Sequence, residues 1–156
     1  MLVLNSRRRK LIIVAFSALV LLISAFIFVN SSMDYEASHS SSGAIADIIS
    51  PGGSLAEHEQ TDFTIRKLAH LVEYFALAVS ATALCVSVDR FYGRKFHGYA
   101  LFYSLLVAVL DEYIQGFTGR GSTVSDVLLD LLGIALGFSL TLVGFYIALF
   151  IKKKLN

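Results

Sequence analysis

Four long apolar segments divide the chain, and each is long enough to cross a membrane as a helix. An α-helix needs about 20 mainly apolar residues to cross a hydrocarbon layer of about 30 Å. The pattern predicts spans at about residues 11–29, 68–88, 98–115 and 126–151. We therefore predict an all-α fold, an integral membrane bundle of four transmembrane helices that forms one domain over residues 1–156.

The segment between the first two spans, residues 30–65, is long, polar and rich in serine. The sequence "SPGG" at Ser50–Gly53 divides it, as proline and glycine usually do between elements. On either side, Ala44–Ile49 and Ser54–Gln60 each favour a short helix lying at the membrane surface. The rest of the segment is predicted to be a loop.

The composition supports a membrane protein. The chain is 56% hydrophobic and only 16% charged, whereas a soluble domain averages about 25% charged residues. Membrane lipids are therefore the expected surroundings, and no segment indicates nucleic-acid binding. The single cysteine, Cys85, excludes a disulfide within the chain. The first apolar run exceeds the roughly 7–15 residues of a signal peptide core, so we expect a retained anchor.

Basic residues predict the direction of each span, because they concentrate on the cytoplasmic side of membrane proteins. They cluster before the first span at Arg7–Lys10, between the second and third spans at Arg90–Lys95, and after the fourth span at Lys152–Lys154. We therefore predict that both termini are cytoplasmic. Residues 30–65 then form an extracytoplasmic loop.

The polar residues within and beside the spans converge at one depth under this topology. Spans two and four start on the outer side and span three ends there, so all of these side chains are predicted in the outer third of the membrane. Residues three or four apart also share a helix face. The candidates are Lys67, His70, Glu73 and Tyr74 in span two, Asp111, Glu112 and Gln115 in span three, and Arg120, Asp126 and Asp130 around the start of span four.

Two compatible interpretations account for this convergence. A charged residue at the centre of a membrane helix costs about 2.5–3.5 kcal/mol on insertion scales, and such residues often mark functional sites. The candidates could form a structural network of ion pairs that locks the spans together. They could also line a polar pocket open to the outer surface, and on this interpretation all of them are candidate ligand-binding residues.

A metal site is a third possibility at the same place. His70 and Glu73 are three residues apart, and Asp111, Glu112 and Asp130 could add oxygen ligands. However, the spans contain neither a second histidine nor a His-Glu-x-x-His motif. The sequence expectation is therefore no metal. No cofactor is expected either, and no residue is assigned a catalytic role, although an enzyme remains an alternative.

Span four contains "GIALG", which places Gly133 and Gly137 four residues apart. This spacing lets two helices approach closely. We predict packing against span two or three within the chain in preference to a dimer interface.

The same polar residues carry a resemblance to a known family. "IRKLAHLVEYFALA" (Ile65–Ala78) and "VAVLDEYIQGFTGRGSTVSDVLLDLLGIALG" (Val107–Gly137) resemble the VanZ-like family of small bacterial membrane proteins. The family positions matched here are Lys67, His70, Glu73, Tyr74, Glu112, Gln115, Arg120, Asp126 and Gly133. The chain departs from the pattern at Asp130, where the family commonly has asparagine.

The resemblance implies a multi-pass protein of the bacterial cytoplasmic membrane with a role in teicoplanin-type antibiotic resistance. Teicoplanin is a glycopeptide with a fatty acyl tail, and it acts outside the membrane on lipid-linked peptidoglycan precursors. The implied partners are therefore an envelope lipid, such a precursor or a lipoglycopeptide. The alternatives are a membrane enzyme acting on a lipid-linked precursor, with Glu73 or Glu112 as base and His70 as acid or base, and a small transporter or proton relay.

Overall fold

Five helices make up almost the whole of the computed structural model, which describes residues 6–33, 35–49, 51–52, 54–93, 95–119 and 123–155. The helices are α1 (Ser6–Ser31), α2 (Tyr35–Ile49), α3 (Leu55–Tyr92), α4 (His97–Phe117) and α5 (Val124–Leu155). All except α2 are long and apolar enough to cross a membrane. The predicted all-α fold with four candidate membrane spans is confirmed, and the described residues contain no strand.

Helix α3 is much longer than the span predicted at residues 68–88. It begins at Leu55, after an N-cap at Ser54 whose side chain accepts a hydrogen bond from the backbone N–H of Glu57. The Glu57 carboxylate accepts one in return from the Ser54 N–H at 2.8 Å, and these contacts lower the pKa of the exposed Glu57 carboxyl. The short helix predicted at Ser54–Gln60 is therefore the start of α3 rather than a separate element.

Helix α2 is also longer than expected, because it covers Tyr35–Ile49 rather than only Ala44–Ile49. Two histidine–aspartate contacts hold it on the first turns of α3. His39 Nδ1 lies 2.8 Å from Oδ2 of the buried Asp62, and His58 pairs with Asp47. The predicted loop over residues 30–65 is thus mostly helical, since α2 packs on α3 and residues 55–65 belong to α3 itself.

Helix α3 is the centre of the bundle, since it contacts each of the other four helices. Apolar side chains, most of them small or medium-sized, fill the interior together with the larger Tyr74: Val20, Ile27, Tyr74, Leu77, Ala78, Ala81, Ala100, Val107, Ala108 and Ile134. Larger apolar side chains such as Leu22 and Phe102 are 68% exposed. This arrangement suits a protein in lipid, where the surrounding solvent is as apolar as leucine and close packing holds the helices together.

The two glycines of α5 lie directly against the backbone of α3. A Cβ atom added at Gly133 would lie 2.6 Å from the carbonyl oxygen of Leu71, and one added at Gly137 would lie 2.5 Å from that of Phe75. Only glycine permits so close an approach. The predicted packing within the chain, against span two, is therefore confirmed.

Contacts at the two ends of the bundle show that α1, α3 and α4 alternate in direction. At one end, Asp89 near the end of α3 accepts hydrogen bonds from the backbone N–H of Phe96 and from His97 Nδ1 at the start of α4. At the other end, Ser31 at the end of α1 contacts Asp111 near the end of α4. Which of these ends faces the cytoplasm stays a prediction.

We expect Gly137→Ala to destabilise the bundle, because the added methyl group would force α5 away from a backbone atom. Overpacking of this kind costs about 1–3 kcal/mol. Unfolding of the purified protein in detergent would measure the change. Gly144→Ala is the matched control, since nothing lies within 4 Å of a Cβ at Gly144. Equal stability of the two variants would contradict the close approach.

Cysteine labelling would test the predicted orientation in a Cys85→Ser background. Ser125 and Lys153 are both exposed and lie near opposite ends of α5. We expect a membrane-impermeant maleimide to label Ser125→Cys in intact cells, and Lys153→Cys only after permeabilisation. The reverse pattern would show that the topology is inverted.

Candidate functional site

A partly buried histidine and three buried carboxylates from three helices meet near one end of the bundle. We call His70 of α3, Asp111 and Glu112 of α4, and Asp130 of α5 the His–carboxylate cluster. Each residue offers a nitrogen or oxygen atom, and these atoms all lie within 4.8 Å of one another. The cluster forms because α4 ends, and α5 begins, beside the same turns of α3.

Asp111 is fixed by donors from three helices. Its Oδ2 accepts a hydrogen bond from the Tyr74 hydroxyl of α3 at 2.8 Å. Its Oδ1 accepts one from Gln115 Nε2, one turn later on α4, at 3.1 Å, and contacts the Ser31 hydroxyl of α1. A buried carboxylate needs such partners, since burial without them is costly. Asp111 therefore joins α1, α3 and α4.

Glu112 and Asp130 are equally buried but differently placed. They are 4% and 0% exposed, and no described residue donates a hydrogen bond to either oxygen of either carboxylate. His70 Nδ1 lies 3.4 Å from Asp130 Oδ1 and 3.6 Å from Asp111 Oδ2. The ring of His70 is stacked with that of Tyr74, with 6.3 Å between centroids. The Glu112 and Asp130 oxygens thus retain hydrogen-bonding capacity that the described side chains leave unused.

A cavity of about 560 Å³ lies beside the cluster, between α3, α4 and α5. Its lining residues are Phe63, Arg66, Lys67, His70, Glu112, Gln115, Thr123, Ser125, Asp126, Leu129 and Asp130. Lys67 and Asp126 form an ion pair that bridges α3 and α5. The Lys67 ammonium also lies 5.2 Å from the ring centroid of Phe63. The cavity therefore combines cationic, acidic, amide and apolar groups.

A second cavity of about 340 Å³ lies on the α1 side of the same cluster. Its walls are largely apolar, with Phe26, Ile27 and Ile45 among the lining residues. Glu73 accepts a hydrogen bond there from Asn30 Nδ2 at 3.2 Å. Since His70 lines both cavities, the cluster borders a cavity on each of two sides of α3.

The structure brings most of the sequence candidates together around the cluster and the larger cavity: Lys67, His70, Asp111, Glu112, Gln115, Asp126 and Asp130. Glu73 instead faces α1 in the second cavity. Tyr74 is fully buried and positions Asp111. Arg120 lies outside the described residues. Binding of a ligand by these residues stays a prediction.

Arg66, Thr123 and Ser125 of the larger cavity were absent from the sequence candidates, and so were two residues of α1, Asn30 and Ser31. The predicted first span ended at residue 29, whereas α1 continues to Ser31. Both are polar residues at the end of an apolar span that runs towards the same end of the bundle. That signal could have placed them beside Glu73 and Asp111.

The fold and the cluster define a helical membrane protein with a buried polar site near one end of its bundle. The VanZ/LLP1 family model matches residues 16–150, nearly the whole chain, so the chain belongs to the VanZ/LLP1 family. This confirms the resemblance seen in the sequence. No curated protein and no solved structure matches the chain significantly.

Tyr74→Phe should destabilise the protein more than Tyr103→Phe does. The first change removes a donor from a buried carboxylate, whereas Tyr103 pairs with the neutral Ser24 hydroxyl at 2.9 Å. Hydrogen bonds to charged groups contribute about 1.5–3 kcal/mol, against about 1 kcal/mol for neutral pairs. Unfolding in detergent would measure both. An equal loss in the two variants would show that Tyr74 does not hold the Asp111 carboxylate.

Proposed function

We propose that the larger cavity binds the polar headgroup of an amphiphilic molecule of the cell envelope. We further propose that this binding, in the cytoplasmic membrane of a bacterium, contributes to resistance against teicoplanin-type glycopeptides. The observation that carries the proposal is the cavity itself, which places Lys67, Asp126 and Gln115 beside apolar surface near one end of a transmembrane bundle. Membership of the VanZ/LLP1 family also supports the proposed role in resistance.

The lining of the cavity fits a headgroup rather than a purely apolar ligand. Its volume of about 560 Å³ is in the usual range for small-molecule sites, which is about 300–1,000 Å³. Lysine and arginine bind phosphate and carboxylate through charge-assisted hydrogen bonds, and both line the cavity as Lys67 and Arg66. Thr123 and Ser125 add hydroxyl groups that suit sugars and amides.

The outer surface of the same helices fits an acyl chain. Leu68 and Val72 of α3 and Leu128 of α5 are 54%, 62% and 60% exposed. An acyl chain attached to a headgroup in the cavity could lie along these side chains without leaving the hydrocarbon layer. Envelope lipids, lipid-linked peptidoglycan precursors and lipoglycopeptides all combine such a chain with a polar headgroup.

A membrane enzyme acting on a lipid-linked precursor is the second candidate. The observation in its favour is the proximity of His70 Nδ1 to Asp130 Oδ1, 3.4 Å apart, at the wall of a cavity that suits the headgroup. Imidazole and carboxylate groups so placed can transfer protons. Incubation of the purified protein with lipid II separates the candidates, because an enzyme forms a new product and a binding protein returns the lipid unchanged.

Loss of either cationic side chain, Lys67 or Arg120, should strongly weaken the resistance phenotype. In a teicoplanin-susceptible host, we expect the wild-type chain to raise the minimum inhibitory concentration, and Lys67→Met and Arg120→Ala to reverse most of that rise. Removal of one charge-assisted hydrogen bond weakens binding by about tenfold or more. Lys153→Met is the matched control, because Lys153 is exposed near the other end of α5.

Immunoblots would establish that the variants are present at equal levels. Thermal stabilisation of the purified protein by teicoplanin, lipid II or phosphatidylglycerol would then identify the class of ligand. If Lys67→Met and Arg120→Ala kept wild-type resistance at equal protein level, the proposal would be wrong.

A further inference from the structure

We infer that the His–carboxylate cluster binds one divalent metal ion at the inner wall of the larger cavity. The inference stands apart from the proposed function, since an ion could bind there whatever molecule occupies the cavity. The sequence expectation of no metal depended on the absence of a second histidine from the spans. The fold supplies the ligands in another way, because one imidazole and three carboxylates from three helices meet at one point.

The distances within the cluster fit two ligands of one ion better than a direct hydrogen bond. His70 Nδ1 lies 3.4 Å from Asp130 Oδ1 and 3.6 Å from Asp111 Oδ2, longer than the usual 2.7–3.2 Å or so of an N–H···O bond. Nitrogen and oxygen atoms bound to one tetrahedral zinc ion at about 2.0–2.2 Å are about 3.4 Å apart. These two distances thus match a shared first-row metal ion, and the other pairs of ligand atoms lie within 4.8 Å of one another.

Buried atoms of the cluster that make no hydrogen bond supply the independent argument; His70 Nδ1 and Asp130 Oδ1 are an ion-pair contact at 3.4 Å. Both oxygens of Glu112, both oxygens of Asp130 and Nδ1 of His70 are buried, and no described residue hydrogen-bonds to them. All three residues also line the larger cavity. Buried polar atoms are normally satisfied, and a single ion within reach of these atoms would satisfy one from each residue.

The concentration of acidic groups in the cluster also favours a bound cation. Three carboxyl groups within 4.8 Å of one another would repel strongly when all are ionised in a medium of low dielectric. The neighbouring ammonium group of Lys67 is already paired with Asp126. A divalent cation bound between the carboxylates would offset the repulsion, as it does in carboxylate-rich metal sites.

Asp111 differs from the other two carboxylates in being held on both oxygens. Tyr74, Gln115 and Ser31 fix its orientation. Metal-binding carboxylates are typically held by such outer partners, which are part of the site's affinity. The three donors would therefore pre-orient Asp111 towards the ion.

The donor set selects the kind of ion. One imidazole with carboxylate oxygens suits Zn²⁺, Mn²⁺ or Fe²⁺, whereas Cu⁺ prefers thiolate and thioether ligands. Because Glu112, Asp130 and His70 border the larger cavity, coordination positions on that side would be open to water or to an anionic headgroup. The ion would then face whatever molecule the cavity takes.

The test is a titration of the purified, tag-free full chain in detergent. The protein is stripped with EDTA, exchanged into chelator-free buffer and titrated calorimetrically with Zn²⁺ and, separately, with Mn²⁺. We expect one ion per chain for at least one of the two metals. Asp130→Asn and Glu112→Gln should each lower that affinity about tenfold or more. Glu59→Gln, which changes an exposed carboxylate on α3, should leave it unchanged.

Asp130→Asn is the most informative variant, because it keeps the side-chain shape and removes only the carboxylate charge. Thermal unfolding provides a second readout, since a ligand that binds only the folded state raises the midpoint. We expect added metal to raise the midpoint of the wild type and of Glu59→Gln, and that of Asp130→Asn much less. Absence of saturable binding in the wild type would overturn the inference, as would wild-type affinity in Asp130→Asn.

Discussion

The burial of carboxylates between membrane helices is the constraint on which the rest of this structure depends. Asp111 and Asp130 are 1% and 0% exposed, in a protein whose surroundings cannot solvate them. Asp111 is stabilised by donors from α1, α3 and α4. That requirement fixes the depth and rotation of three spans at once, because a shift of one residue along any of them would remove a donor.

The glycine contact between α3 and α5 sets the position of the fourth span. Gly133 lies against the carbonyl group of Leu71, the residue after His70. Asp130 precedes Gly133 by three residues, so the same contact places its carboxylate against the imidazole. The close packing at Gly133 therefore also determines the geometry of the His–carboxylate cluster. A residue with a larger side chain at Gly133 would both loosen the bundle and widen the cluster.

The sequence was enough to predict the number of spans, their alternation in direction and the depth of their polar residues. It did not predict which neighbouring helix each polar side chain faces. Four apolar runs and the alternation of their directions were enough to bring Lys67, His70, Glu112 and Asp130 to one level. Hydropathy cannot show which way a helix faces, so it did not separate Glu73, which turns to α1, from His70. The helical state of residues 35–49 was mostly missed for a different reason. Its Ser-rich stretch has the composition of a loop, and contacts with α3 override that local preference.

The uninterrupted length of α3 has a mechanical consequence. At about 1.5 Å per residue, Leu55 lies about 22 Å from His70 along one continuous helix. Helix α2 contacts the first turns of α3 through His39 and Asp62. Because no break lies between the two regions, a tilt of about 5° that pivots at His70 would move Leu55 by about 2 Å over that lever arm. A displacement of α2 would thereby tilt the helix that carries His70, so α2 and the cluster are mechanically linked through α3.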